Sequence, residues 1–417
     1  MVDLTRQPYG MCRRVRAPRN IRVESLRLAA IIGISLFHTM TPWTAQALCE
    51  TNTCSQAGEA LASSPGIVTI LGVIALLGSW GNHVFFMISG FYLLPSLARR
   101  STRPRYWSEA AQSTFRRVLA IVVSVVFVAL VALVFDRWVM PLVNVRLLWQ
   151  WTLAIEFVWL YAAFIMMAPI VAWLMRRMTP RARVAVCSVL VIVVMALNVY
   201  VAFVAPGDVA ARGLTDWRKW MSAITYVIGF VSAGAAGMMP APRAERLPAT
   251  RRHWVMLTVV IMLITVAVEL WAAIRRDMPL IGQLSYKSTS PLAMALACTL
   301  VISCALGAAS REDEDLATAS CHTGLRRGVI GRVVGWLASG ILGFYIVQSV
   351  FSVIAMDAGI QRILDATMRW GMIRFGALEV SLLLLAVAMA LSVGYVLIVL
   401  AIDGWTRRPI LRAVGLG

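Results

Sequence analysis

The sequence predicts an all-α, polytopic transmembrane helix bundle of about ten spans with both termini cytoplasmic. Three observations predict it. Of 417 residues, 60% are hydrophobic and only 14% charged, against about 45–50% and about 25% in soluble domains. Apolar runs of about 20 residues recur along the chain, each long enough to cross about 30 Å of hydrocarbon as a helix. The net charge of +19 is almost entirely arginine, with Lys219 and Lys287 the only lysines, and the arginines gather in alternate loops.

The expected spans are 23–42, 78–97, 116–135, 149–174, 184–204, 218–238, 254–274, 290–309, 333–355 and 378–402. An even count places both termini on one side. The segments on that side carry Arg6 to Arg22, Arg99 to Arg117, Arg176 to Arg183, Arg243 to Arg252, Arg311 to Arg332 and Arg407 to Arg412. They hold more than twice the basic residues of the opposite loops, so the positive-inside rule makes that side cytoplasmic, in the cell (plasma) membrane. The same distribution argues against nucleic acid, which a pI near 10.7 would suggest in a soluble protein. The chain divides into a basic cytoplasmic segment 1–22, a ten-helix domain 23–403 and a cytoplasmic tail 404–417. The first span has a basic lead and an Ala45-Gln46-Ala47 pattern like a signal peptide, but nine spans follow, so it reads as an uncleaved helix.

The seven cysteines form no metal pattern, and no metal site is expected. Cys187, Cys298 and Cys304 lie in apolar spans as small core residues. Cys12 and Cys321 fall in cytoplasmic segments. Cys49 and Cys54 share an outer loop where a disulfide is chemically allowed. The acidic stretch from Glu312 to Asp315 reads as a solvated loop. There is no internal repeat and no inverted pair of broken helices of the kind transporters use.

Ionisable groups within a span are costly to keep, which makes Arg27 and His38 the first functional candidates. Eleven residues at about 100° each bring them to within about 20° of one face, about 16 Å apart along the axis. Arg27 then lies near the cytoplasmic interface and His38 in the outer half. A guanidinium binds phosphate through paired hydrogen bonds, and an imidazole takes a proton from a hydroxyl near neutral pH. Taken alone, Arg27 also fits a snorkelling arginine, and His38 an interhelical hydrogen bond. In the second span, Gly81-Asn82-His83 leads into Phe85-Phe86-Met87-Ile88-Ser89-Gly90-Phe91, where Ser89 and Gly90 also fit close helix packing. His83 is a weaker candidate, placed toward the outer interface.

Arg27-x10-His38 followed by Phe85 to Phe91 resembles the bacterial membrane acyltransferase-three family, integral membrane O-acyltransferases that acylate sugars and other envelope hydroxyls. Trp151-Thr152-Leu153-Ala154-Ile155-Glu156 is similar to a family segment that closes on glutamate. Tyr286-Lys287-Ser288-Thr289-Ser290-Pro291 and Gly343-Phe344-Tyr345-Ile346-Val347-Gln348 resemble two more, although the family often has histidine where Gln348 stands. The order extends over nearly the whole chain.

The resemblance implies an acyl-CoA donor, most often acetyl-CoA, entering from the cytoplasm. It implies a carbohydrate acceptor, a polysaccharide or lipid-linked sugar, on the outer side. Arg27 is then the first choice for contacting the donor, with Arg116 and Arg117 next, though juxtamembrane arginines also serve as topology signals. His38 would be general base or transient acyl carrier. Glu156 would orient it, or else make an interhelical hydrogen bond. Ser89 would donate to the developing oxyanion. The competing class is a transporter or flippase for a lipid-linked sugar, which needs no base opposite a donor-binding arginine.

Overall fold

The computed structural model describes residues 20–48, 55–138, 155–204, 214–240, 246–284, 289–306, 329–352 and 359–416. The expected motif residues Trp151 to Ala154 and Tyr286 to Ser288 lie outside them. So do Cys12, Cys49, Cys54, Cys321 and the acidic stretch.

The described residues are helical. In chain order the helices are α1 (Ile21–Ala47), α2 (Gln56–Ala62), α3 (Pro65–Arg100), α4 (Tyr106–Trp138) and α5 (Glu156–Arg177). Then come α6 (Pro180–Val199), continued by a π turn over Tyr200–Val204, α7 (Leu214–Gly237), α8 (Leu247–Arg275), α9 (Met278–Leu284) and α10 (Pro291–Ala305). The last are α11 (Val329–Ala338), α12 (Ile341–Ser352), α13 (Gln361–Arg374), α14 (Ala377–Trp405) and α15 (Arg407–Ala413). Among the described residues, eight stretches are long and apolar enough to cross a membrane, so this is a polytopic all-α membrane protein.

Two expected spans take another form. The described part of the one placed at 290–309 is the 15-residue α10. The one placed at 333–355 is broken into α11 and α12. The break falls at Gly340, whose N–H closes a tight turn on the Leu337 carbonyl at 2.9 Å. The space a side chain would need there is filled by Arg408 and Asp403.

α1 and α3 form the centre. Of their most apolar stretches, 61% and 67% is buried, against 17% in α6 and 28% in α8. Small residues permit this closeness. A side chain at Gly81 would collide with Ile34 and the Ala30 carbonyl, and one at Gly90 with the Phe230 carbonyl of α7. Peripheral α6 and α8 instead present Val189, Ile192, Leu263 and Ile264 outward. In water those surfaces would be penalised; against lipid tails they are at home.

Polar ties set the rotation of α1. At its start the Asn20 side chain accepts from Arg22 N–H and donates to the Cys304 carbonyl closing α10. In its outer half Ser392 of α14 donates to Thr39 Oγ1 at 3.1 Å. Gln361 of α13 donates to the Thr39 carbonyl at 2.7 Å and accepts from Trp43 Nε1 at 2.9 Å. Ser35, Thr39 and Trp43 are thereby turned toward α13 and α14. That leaves the stripe of Arg27, Ile31, Ile34 and His38, whose centre is about 70–150° around the helix from those three, to face elsewhere.

Candidate functional site

The stripe changes character along its length. Ile31 and Ile34 are buried, packed in one cluster with Ile341, Phe344 and Tyr345 of α12. From His38 outward the stripe opens: His38 and Thr41 are exposed, as is the neighbouring Pro42. The His38 ring meets Phe37 edge-on at 5.0 Å. Ile31 and Ile341 line one cleft, and His38 and Gln348 each stand seven residues further on. Parallel helices therefore hold them at about the same height.

Arg27 lies at the buried end. It shares a cleft too narrow to admit a water molecule with Ala30, Ile31, Val84, Phe85, Ile341 and Tyr345. Its Nη1 donates to Glu24 Oε1, one turn earlier, at 3.2 Å. The guanidinium already holds a carboxylate, and the cleft around it is tight.

Arg116 and Arg117 stand elsewhere. They line a cavity of ≈500 Å³ on the arginine-rich side, with Tyr161 and Ile165 of α5, Leu342 of α12, Arg407, Gly415 and Leu416. This volume is within the range of about 300–1,000 Å³ usual for small-molecule sites. Three guanidinium groups around one cavity suit a polyanion. The cavity does not include Arg27. Between the two spaces stand rings: Tyr161, in the cavity wall, lies 4.9 Å from Phe85, in the cleft wall. Phe85 lies 5.3 Å from Tyr345, and Phe157 stacks on Tyr345 at 4.2 Å. The Tyr345 hydroxyl donates to Asn82 Oδ1 at 3.2 Å. Phe85 of the second motif, with Tyr161 and Tyr345, thus forms a partition between arginine cavity and arginine cleft, while Phe86 packs among Phe157, Phe164 and Tyr226.

The other expected site residues fall around this partition. Glu156 is the first residue of α5 and exposed; its neighbour Phe157 sits in the ring cluster. Ser89 donates its hydroxyl to the Phe85 carbonyl at 2.9 Å, so that proton is engaged within α3. His83 is not at the outer interface: it is buried, edge-on to Tyr226 of α7 at 5.3 Å. The cause is the close α3–α7 contact at Gly90, which turns this face of α3 inward.

Sequence reasoning missed two residues. Arg407 counted only as a topology arginine, although Asp403, at the end of the last span and four residues earlier, is the helical-pair signal that marks it. Glu269 of α8 is fully buried, packed against Gly72 of α3. Among the described residues, neither of its carboxyl oxygens has a hydrogen-bond partner. A lone acidic residue inside an apolar run was its signal.

A family model described as an acyltransferase domain matches residues 20–399. No curated protein and no solved structure matches the chain. The matched region contains α1, the aromatic partition, Arg116 and Arg117, and stops short of Asp403 and Arg407. It covers most of the chain and carries acyl transfer as the general activity: the chain belongs to the acyltransferase-three family of membrane acyltransferases.

Proposed function

We propose that this protein is an O-acyltransferase that takes an acyl group, acetyl in the first instance, from acyl-CoA on the cytoplasmic side. It passes the group to a hydroxyl of an envelope polysaccharide or lipid-linked sugar on the outer side. The observation that carries the reading is the ≈500 Å³ cavity lined by Arg116, Arg117 and Arg407, one aromatic pair away from the helix that bears His38. Coenzyme A is rich in phosphate, and clustered guanidinium groups in a partly desolvated cavity attract such an anion.

In this reading the phosphates stay with the arginines and the thioester arm passes the Phe85, Tyr161 and Tyr345 rings toward His38. His38 takes the proton of the acceptor hydroxyl as its oxygen attacks the thioester carbonyl. The carbon–sulfur bond breaks and the proton goes to the departing thiolate. The exposed outer stretch of the α1 stripe gives a neutral sugar access without crossing a charged surface. Glu156, the neighbour of Phe157 in the ring cluster, is the group proposed to orient the imidazole. Arg27, already paired with Glu24, contacts the donor only if the cleft opens.

The test is transfer by the purified chain in lipid nanodiscs, given radiolabelled acetyl-CoA and a panel of polysaccharide and lipid-linked acceptors. Label should appear on an acceptor with one free CoA thiol per acyl group. Label trapped on the protein would assign His38 as acyl carrier. No thiol release with any acceptor, alongside movement of a lipid-linked sugar across vesicles, would replace the reading with a flippase.

A further inference from the structure

We propose that Arg407 is a phosphate-binding residue of the arginine cavity and that Asp403 is its positioning residue. The inference rests on the acyl-CoA reading of that cavity and adds a residue from beyond the matched family region.

A topology arginine extends into the headgroup layer. Arg407 does the opposite. It is 5% exposed, whereas Arg116 and Arg117 are exposed, and all three line the same cavity. Its fork is fixed: Nε and Nη2 donate to the two oxygens of Asp403, and Nη1 donates to Ser124 at 3.1 Å. Ser124 belongs to α4, the helix that carries Arg116 and Arg117. A guanidinium has five N–H donors, so this set leaves two, one on each terminal nitrogen. Such a group arrives at an anion already oriented, which lowers the entropy lost on binding.

The local charge points the same way. Asp403 also accepts from Arg408 Nε at 2.8 Å. Arg408 is 8% exposed, donates to Trp336 O and Ser339, and among the described residues leaves Nη2 without a hydrogen-bond partner. One carboxylate therefore faces two buried guanidinium groups. An uncompensated buried charge is costly, and an anion bound in the cavity offsets it. The Asp403 pair also decides which side of Arg407 is left for the ligand.

Binding of coenzyme A and of inorganic pyrophosphate to the full chain in nanodiscs tests this. Arg407→Gln should weaken both at least tenfold and raise the KM for acyl-CoA while kcat stays within about twofold. Asp403→Asn should weaken both severalfold, with Asp403→Glu restoring part of the loss. Arg407→Lys keeps the charge without the fork and should lose at least threefold; it decides the matter if the glutamine variant does not fold. Unchanged affinity for coenzyme A in either folded Arg407 variant overturns the inference while leaving the acyl-CoA reading intact. Wild-type binding of pyrophosphate but not coenzyme A removes that reading and keeps the anion site. Binding of neither overturns both.

Discussion

The two ends of the bundle are built on opposite plans. On the arginine-rich side, polar groups are crowded and interlocked: Asp403, Arg407, Arg408, Ser124, Ser339 and Trp336 form one connected set, which meets the cavity at Arg407. On the other side, His38 is exposed on a helix whose outer polar contacts, through Thr39 and Trp43, turn away from it toward α13 and α14. Under the proposed function, the difference means that the ends answer to different ligands. A multiply charged donor needs a rigid, charge-rich receptor. A neutral hydroxyl needs access and one proton acceptor.

Four substitutions press on that contrast. His38→Ala should lower kcat for acyl transfer by about 10²–10⁴-fold, the usual contribution of a general base. It should leave coenzyme A affinity unchanged; a matching loss of affinity would merge the two ends into one site. Asp403→Ala should cost about 3–5 kcal/mol, as expected when one member of a buried ionic set is removed, read as a lowered thermal midpoint in detergent. A midpoint equal to wild type would mean that the arginine-rich end is not held by this carboxylate. Arg117→Gln should raise the KM for acyl-CoA about tenfold, because a hydrogen bond to a charged group is worth about 1.5–3 kcal/mol, and leave acceptor KM alone. Ser89→Ala should change transfer by less than about twofold, because that hydroxyl serves its own helix. A loss of a hundredfold would restore it as an oxyanion donor.

Much of the fold was legible because the bilayer imposes length and apolarity on every crossing. The helix face shared by Arg27 and His38 was legible too, since a period of 3.6 is local information. The break at Gly340 was not. It arises because Asp403 and Arg408, more than sixty residues away in the chain, occupy the space beside it. The aromatic role of Phe85 was hidden for the same reason: its partners Phe157, Tyr161 and Tyr345 come from two other helices. Arg407 looked like its neighbours Arg408 and Arg412 because a juxtamembrane arginine carries no local mark of burial. Asp403, one turn back, was the signal, and it serves Arg407 and Arg408 alike.

Gly415 and Leu416 form part of the cavity wall, which bears on how the protein can be handled. Any polypeptide fused after this point would emerge beside the chamber. If the cavity admits the proposed donor, a polyhistidine or fluorescent-protein fusion there would compete for its way in, so purification handles belong at a distant loop.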